Sequence, residues 1–176
     1  MIFRETKLAG AYVVDIERLE DDRGFFARSW CRREFEAHGL NPNFAQCNIS
    51  FNTKKSTMRG MHFQAEPFEE AKLVRCTMGS LYDVIVDLRQ DSPSFRKYVG
   101  IILTPDNRKM LYVPEGFAHG FLTLEDNTEV QYQISEFYAP EYERGFRWND
   151  PAFGIEWPSE VKIISDRDRN YPDFSF

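Results

Sequence analysis

The feature that most constrains this chain is a period-two alternation of apolar and polar residues in several short runs. In EVQYQIS, Val130, Tyr132 and Ile134 share one face, while a glutamate and two glutamines occupy the other. This alternation is typical of β-strands with one buried face. The runs KLVRCTMG and SLYDVIVDLR alternate in the same way and are rich in β-branched or aromatic residues.

The segments between these runs indicate the fold class. Gly, Pro, Asn and Asp cluster in LRQDSPSF, LTPDNRKM and TLEDNTEV, which are compositions typical of turns. The segment SWCRREFEAHG is the clear helix candidate, with Ser29 as a predicted N-cap, His38 in the last turn and Gly39 as the stop. Many strands and one clear helix indicate an antiparallel sandwich or a closed barrel of jelly-roll type, whose interior can hold a ligand.

Composition limits the classes of protein that this chain can belong to. Its 176 residues, 42% of them hydrophobic, carry no repeat or linker, so we expect one domain over residues 1–176. The net charge of −6 argues against a nucleic-acid surface. Cys31, Cys47 and Cys76 form no CxxC pair, and the sequence shows neither a signal peptide nor a membrane-spanning run. These features predict a soluble cytoplasmic protein with reduced thiols.

Polar residues on apolar faces are the candidates for a ligand site. Tyr132 is either an ordinary core tyrosine or a proton donor, and Lys72 is either an edge lysine that reaches solvent or a cation that faces negative charge. His62, in MRGMHFQ, is either a hydrogen-bonded structural histidine or a general base. Strict alternation puts Arg59 on the face opposite His62, so both can reach one ligand only if Gly60 supplies a β-bulge.

A metal site is a further hypothesis. The P-x-G-x-x-H turn in YVPEGFAHGF, which ends at His119, is half of the metal signature of cupin barrels. The other half requires two histidines separated by one residue, but GMHFQAEP offers His62 alone, with Glu66 as a distant candidate. Because a catalytic metal needs about three protein ligands, we expect no bound metal.

Six blocks of the sequence resemble one known family, in the same order and almost end to end. They are DDRGFF, MRGMHFQ, AKLVRCTMGSLYDVIVDLRQDSPSF, YVPEGFAHGFLTLEDNTEVQY, FYAPEYERGFRWNDPAFGIEWP and ISDRDRNYPDF. They resemble the dTDP-4-dehydrorhamnose 3,5-epimerase family of sugar-nucleotide epimerases. The resemblance implies an antiparallel, cupin-like jelly-roll barrel with few short helices. It also implies inversion of C3, C5 or both in a nucleotide-diphosphate-linked 4-keto-6-deoxyhexose, without a cofactor, by a homodimer in which MIFRETKL can pair across subunits.

The resemblance also implies roles for residues at matching positions. His62 matches the general base, Asp168 the aspartate that fixes its tautomer, Tyr132 the acid on the opposite face of the sugar, and Lys72 the lysine near the C4 oxygen. The further positions that match the nucleotide-sugar site are Arg23, Gln46, Asn48, Arg59, His119, Tyr138, Glu143 and Arg167.

Two positions depart from the family pattern. Arg28 stands where a glutamate usually follows DRGFF, and Cys47 replaces the aspartate of QDN. Both changes remove an acidic group near the expected nucleotide site, so the identity of the nucleotide stays open. The alternatives to an epimerase are a 3,4-ketoisomerase, a metal-dependent cupin oxygenase and a non-catalytic sugar-binding domain. The retained Tyr132 in the context RGxHFQ…KLV favours the epimerase.

Overall fold

The computed structural model describes residues 1–175, and the strands in that range form two large sheets and a small hairpin. In chain order the strands are β1 (Ile2–Glu5), β2 (Tyr12–Asp15), β3 (Arg18–Asp21), β4 (Gly24–Ala27), β5 (Gln46–Asn52), β6 (Thr57–Gln64), β7 (Lys72–Met78), β8 (Leu81–Asp87), β9 (Tyr98–Leu103), β10 (Met110–Val113), β11 (Phe117–Thr123), β12 (Thr128–Ile134), β13 (Glu143–Gly145) and β14 (Ile163–Ile164). The helices are α1 (Arg32–Ala37), α2 (Asp166–Arg169) and a 3₁₀ turn (Pro140–Tyr142).

The two large sheets have the strand order expected of a jelly roll rather than of a meander. The first sheet runs β1-β2-β10-β7-β12-β5, and the second runs β13-β6-β11-β8-β9, with β14 added to β6. The neighbours within these sheets are antiparallel, which confirms the predicted fold class, but β14 pairs with β6 in parallel. The hairpin of β3 and β4 stands apart from both sheets.

The core lies between the facing sheets. Buried residues from the first sheet, such as Val74 and Val130, pack with Ile85 and Phe121 from the second, and Tyr132 packs against the same cluster. The alternation predicted for EVQYQIS is therefore confirmed, because Val130 and Tyr132 both face inward. Burial of this apolar area is the main contribution to stability, at roughly 25 cal/mol per Å².

Further segments cover the outer faces of the two sheets. Phe35 of α1 packs on the first sheet, where it contacts Tyr112 with a ring separation of 5.8 Å. The C-terminal segment covers the second sheet, where Phe146 and Phe153 pack against Val84. Strand β8 is consequently buried on both faces, which explains why its apolar residues are so dense.

The ends of α1 differ in part from the prediction. The N-cap is Cys31, not Ser29, because the Cys31 carbonyl oxygen already accepts the first helical N–H groups. His38 is the C-cap residue, and its Nδ1 lies 2.7 Å from the carbonyl oxygen of Glu34. Gly39 follows with a φ of +69°, as expected for a residue that ends a helix.

The N-terminal strand pairs within its own chain. Strand β1 is antiparallel to β2 and leaves its other side as a sheet edge. Among residues 1–175, no helix combines the length and the apolar character that a bilayer crossing requires.

Candidate active site

A β-bulge in β6 arranges the first candidate residues. Two residues, Gly60 and Met61, lie opposite the single Gly120 of β11, so the register of the two strands shifts. Gly60 has a φ of +117°, and a Cβ at this position would lie 2.5 Å from the Gly120 Cα atom. As predicted, the bulge at Gly60 allows Arg59 and His62 to line the same cavity, of about 620 Å³.

His62 and Asp168 form a hydrogen-bonded pair at the edge of this cavity. The distance between His62 Nε2 and Asp168 Oδ1 is 2.7 Å. Asp168 lies in α2, which the parallel strand β14 holds beside β6. Its other oxygen, Oδ2, accepts the Gly60 N–H at 3.2 Å, and its own N–H donates to Ser165 Oγ. Each carboxylate oxygen is thus assigned to a donor.

The electrostatics of this pair favour an ionised aspartate. Burial raises the pKa of Asp168, but the hydrogen bond and charge of His62 and the Gly60 N–H outweigh it, so the pKa lies below its usual value. Because a carboxylate can only accept, His62 Nε2 carries the proton. The other ring nitrogen, Nδ1, has no hydrogen-bond partner within residues 1–175. The His62 side chain is 30% exposed.

Tyr132 reaches the same cavity from the other sheet. It lies on β12 of the first sheet, whereas His62 lies on β6 of the second. Its ring meets the ring of His119 edge-on, with centroids 6.0 Å apart. Burial, followed by the nearby charge of Asp83, raises the pKa of Tyr132, so the phenol keeps its proton at neutral pH.

Lys72 supplies a cation to the cavity wall. It is the first residue of β7, and its side chain is 11% exposed. Its Nζ lies 2.8 Å from Oε1 of Glu70, whose side chain is 12% exposed. Lys72 also borders a smaller adjoining cavity of about 180 Å³, which includes Glu70.

His119 is held by a second buried aspartate. Its Nε2 lies 2.7 Å from Asp83 Oδ1, and both residues are buried. His62 and His119 are directly opposed in the β6–β11 pairing, yet each is already bonded to its own carboxylate. Within residues 1–175, no group of three His, Cys, Asp or Glu side chains is placed to hold a metal, and Glu66 lies exposed in a loop.

One ion pair and several hydrogen bonds hold the polar side chains that line the two cavities. Glu143 binds the Arg167 guanidinium through Oε1 and accepts a 2.5 Å hydrogen bond from the Tyr138 hydroxyl through Oε2. The hydrogen bond with Glu143 is the main cause of the raised pKa of Arg167. Tyr138 is also anchored through its N–H, which donates to Gln46 Oε1. Arg59 is oriented in the same manner by Asn52, whose Oδ1 accepts from Nε at 2.7 Å.

The structure brings eleven of the predicted site residues together. Those that line the larger cavity are Asn48, Arg59, His62, Lys72, His119, Tyr132, Arg167 and Asp168. Those that line the smaller cavity are Gln46, Asn48, His62, Lys72, Tyr138 and Glu143.

Arg23 lies outside both cavities of its own chain. It is at the tip of the β3–β4 hairpin, its side chain is 89% exposed, and its guanidinium pairs with Asp21. The two departures from the family pattern are also accounted for. Arg28 pairs with Glu34 of α1 at 2.8 Å, and Cys47 is an exposed thiol on β5.

Three neighbours of the site were not predicted from the sequence. Asp83 is two residues from the inward-facing Ile85 of its run, so strand alternation carried a signal for it, whereas Glu70 lies in the connection before β7 and had no such signal. Tyr171 contacts the His62 ring edge-on at 5.9 Å and accepts a hydrogen bond from Arg167 Nε. It lies in an irregular segment where no periodicity could have marked it.

Comparisons with known proteins identify the family of this chain. A family model described as dTDP-4-dehydrorhamnose 3,5-epimerase matches residues 5–175. The dTDP-4-dehydrorhamnose 3,5-epimerase of Shigella flexneri is 42% identical, covering 97% of this chain and 94% of the relative. A crystal structure of the Bacillus anthracis enzyme with TDP and PPi bound is 42% identical, has a TM-score of 0.93, and covers 98% of this chain and 99% of that one. The crystal structure of the Elizabethkingia anophelis enzyme is 37% identical in sequence and has a TM-score of 0.96. The match covers 99% of this chain and 96% of that one.

Identity at this level over nearly the whole length extends through both sheets and both walls of the cavity. The chain therefore belongs to the dTDP-4-dehydrorhamnose 3,5-epimerase family and is an epimerase of the isomerase class.

Proposed function

We propose that this chain inverts C3, C5 or both of a nucleotide-diphosphate-linked 4-keto-6-deoxyhexose through an enolate intermediate. The observation that carries the proposal is that His62 and Tyr132 enter one cavity from opposite sheets. Inversion requires a proton to leave one face of the sugar and another to arrive on the opposite face. Two groups on facing walls can do this without turning the sugar over.

His62 is the proposed base. A C–H bond next to a carbonyl is acidified, and an imidazole has a reference pKa of about 6.5, close to the working pH. Asp168 holds the ring with Nδ1 available and stabilises the imidazolium that forms when Nδ1 takes the proton. General base catalysis of this kind contributes about 10²–10⁴ in rate.

Tyr132 and Lys72 complete the proposed reaction. Loss of the proton places negative charge on O4 of the sugar, and the Lys72 ammonium can stabilise that enolate. One preorganised donor is worth roughly 3–4 kcal/mol in the barrier. The phenol of Tyr132, kept neutral by burial, then donates its proton to the carbon from the opposite face and is reprotonated by solvent.

The diphosphate is assigned to the arginines of the cavity wall. Arg59 and Arg167 both line the larger cavity, and guanidinium groups bind phosphate oxygens bidentately. The Bacillus anthracis relative was crystallised with TDP and PPi bound, which supports a nucleoside diphosphate as part of the ligand. We therefore propose a dTDP-linked sugar as the substrate.

We also propose that the active form is a homodimer in which Arg23 serves the site of the second copy. The hairpin that carries Arg23 is exposed, and Leu19 and Phe26 on it expose large apolar surfaces, which a neighbouring subunit can cover. A mixed dimer of Arg23→Ala and His62→Ala chains would then contain one intact site. Recovery of activity on mixing two inactive variants supports this arrangement, and no recovery in a confirmed mixed dimer contradicts it.

The cellular location that we propose is the cytoplasm. Cys31, Cys47 and Cys76 are all free thiols, as is usual in a reducing compartment.

The decisive experiment follows proton exchange by NMR in deuterated buffer. The wild-type protein should incorporate deuterium at C3, C5 or both of a 4-keto-6-deoxy sugar nucleotide, and His62→Ala should abolish it. Exchange at the wild-type rate in His62→Ala would remove His62 from the mechanism. A panel of dTDP-, CDP-, GDP- and UDP-linked sugars in the same assay identifies the nucleotide.

A further inference from the structure

The side chain of Glu70 lies against Lys72 inside the cavity wall. Its Oε1 is 2.8 Å from Lys72 Nζ, and both side chains are almost enclosed by protein. Glu70 lines the smaller cavity, whereas Lys72 lines both cavities. The carboxylate therefore meets the ammonium at the smaller cavity, while Lys72 also borders the larger cavity, which Tyr132 lines and Glu70 does not.

The backbone around Glu70 is fixed on both sides. The buried Gln64 donates from Nε2 to the Phe68 carbonyl oxygen at 2.8 Å. Ala71 and Ser135 exchange two hydrogen bonds, since Ala71 N–H donates to Ser135 Oγ and Ser135 N–H donates to the Ala71 carbonyl oxygen. Hydrogen bonds on both sides of Glu70 therefore hold its backbone in place, although Glu70 lies in a connection between strands.

The flexibility of lysine makes such a partner important. A lysine carries its charge on a four-carbon stem with several rotatable bonds, so burial of the stem alone does not fix Nζ. A partly buried ammonium without an oppositely charged neighbour is also costly. Catalytic stabilisation of an oxyanion depends on a donor that is already in place when the charge develops.

We propose that Glu70 is a positioning residue that holds the Lys72 ammonium toward the reacting sugar. Glu70 itself touches no reacting atom, and it acts through the placement of Nζ. This inference rests on the proposed role of Lys72 in stabilising the enolate. An oxygen acceptor at position 70 is sufficient for the placement, so glutamine can substitute for glutamate there, whereas alanine cannot.

The test compares Glu70→Ala and Glu70→Gln by steady-state kinetics and by binding of dTDP alone. Glu70→Ala should lower kcat about tenfold or more and change the Kd for dTDP less than twofold. Glu70→Gln should recover kcat to within about threefold of the wild type. The matched control is Glu69→Ala, one residue earlier, because Glu69 lines a separate surface cavity near Arg89 and should keep wild-type kcat.

A Lys72→Ala background separates this inference from the proposed function. If Glu70 acts through Lys72, adding Glu70→Ala to Lys72→Ala should lower kcat less than twofold further. If Lys72→Ala itself keeps wild-type kcat, the proposed role of Lys72 fails. If Lys72→Ala is slow but Glu70→Ala matches the wild type, or Glu70→Gln is as slow as Glu70→Ala, the positioning role fails. Equal losses of kcat and dTDP affinity in Glu70→Ala would indicate a general collapse of the site and also overturn it.

Discussion

Replacing Asp168 by asparagine is the sharpest test of the His62 pair. Asp168 accepts two hydrogen bonds, one from His62 Nε2 and one from the Gly60 N–H. An asparagine of the same shape offers one oxygen and one NH₂ group, so it can satisfy only one of these donors. The structure thus forces a choice between the two partners.

The choice can be worked out from the chemistry of the two donors. The Gly60 amide cannot give up its hydrogen, whereas a neutral imidazole can move its proton from Nε2 to Nδ1. The amide oxygen should therefore face Gly60, and the NH₂ group should face an unprotonated Nε2 of His62. Nδ1 then carries a hydrogen and cannot act as a base. Because general base catalysis contributes about 10²–10⁴ in rate, kcat should fall by that factor.

The assay measures deuterium incorporation into the sugar nucleotide by NMR. The melting temperature of each variant is measured in parallel. We expect Asp168→Asn to lose activity while its melting temperature stays within a few degrees of the wild type, since both hydrogen bonds survive in altered form. The matched control is Asp166→Asn, an exposed aspartate in the same turn of α2, which should keep full activity. If Asp168→Asn keeps kcat within tenfold of the wild type, the assignment of Nδ1 as the base is wrong.

Three further predictions address the proton donor, the bulge and acid stability. Tyr132→Phe removes the phenolic proton, so NMR should show inversion slowed more than deuterium exchange, and equal losses would contradict its role as the opposite-face acid. Gly60→Ala forces a Cβ to within 2.5 Å of the Gly120 Cα atom in a positive-φ conformation. This should cost about 2–5 kcal/mol and lower the melting temperature by roughly 4–20 °C. The control Gly154→Ala has a positive φ but open space around it, so it should lose clearly less, and equal losses would rule out the steric explanation. Burial raises the pKa of Asp87, but hydrogen bonds from Arg89 and two serines outweigh burial and lower that pKa overall. The ionised Asp87 therefore stabilises the folded protein above the unfolded pKa of about 3.9, and this contribution is lost as the pH falls through the lower folded pKa. Thermal melts should show this acid loss in the wild type and a shallower one in Asp87→Asn, and parallel curves would refute it.

The strands and the inward-facing candidates could be predicted because they depend on local alternation. Tyr132 and Lys72 were recognisable since a polar residue in phase with apolar neighbours is uncommon. The bulge at Gly60 followed from the need to bring Arg59 and His62 to one ligand. These inferences use only the geometry of a single strand, which the sequence specifies directly.

Other parts of the site depend on contacts between distant segments. Strand β14 has two residues, too few for a periodic pattern, yet its pairing with β6 is what delivers Asp168. The position of Asp168 came from resemblance to a family and not from local pattern. The helix N-cap was predicted at Ser29 because serine is the stronger cap former, but the N-cap is Cys31, two residues later, and Phe35 of this helix is buried.

The His62–Asp168 pair joins residues that are 106 positions apart in the chain. The base lies in the first half of the sequence, whereas its partner lies within the last ten residues. A chain shortened before β14 would keep every strand of the two facing sheets from β1 to β13, but it would lack the carboxylate that orients the histidine. The same cut would remove Ile163, Ile164 and Arg167 from the cavity wall, so one short C-terminal segment supplies both the partner of the histidine and part of the surface that surrounds the substrate.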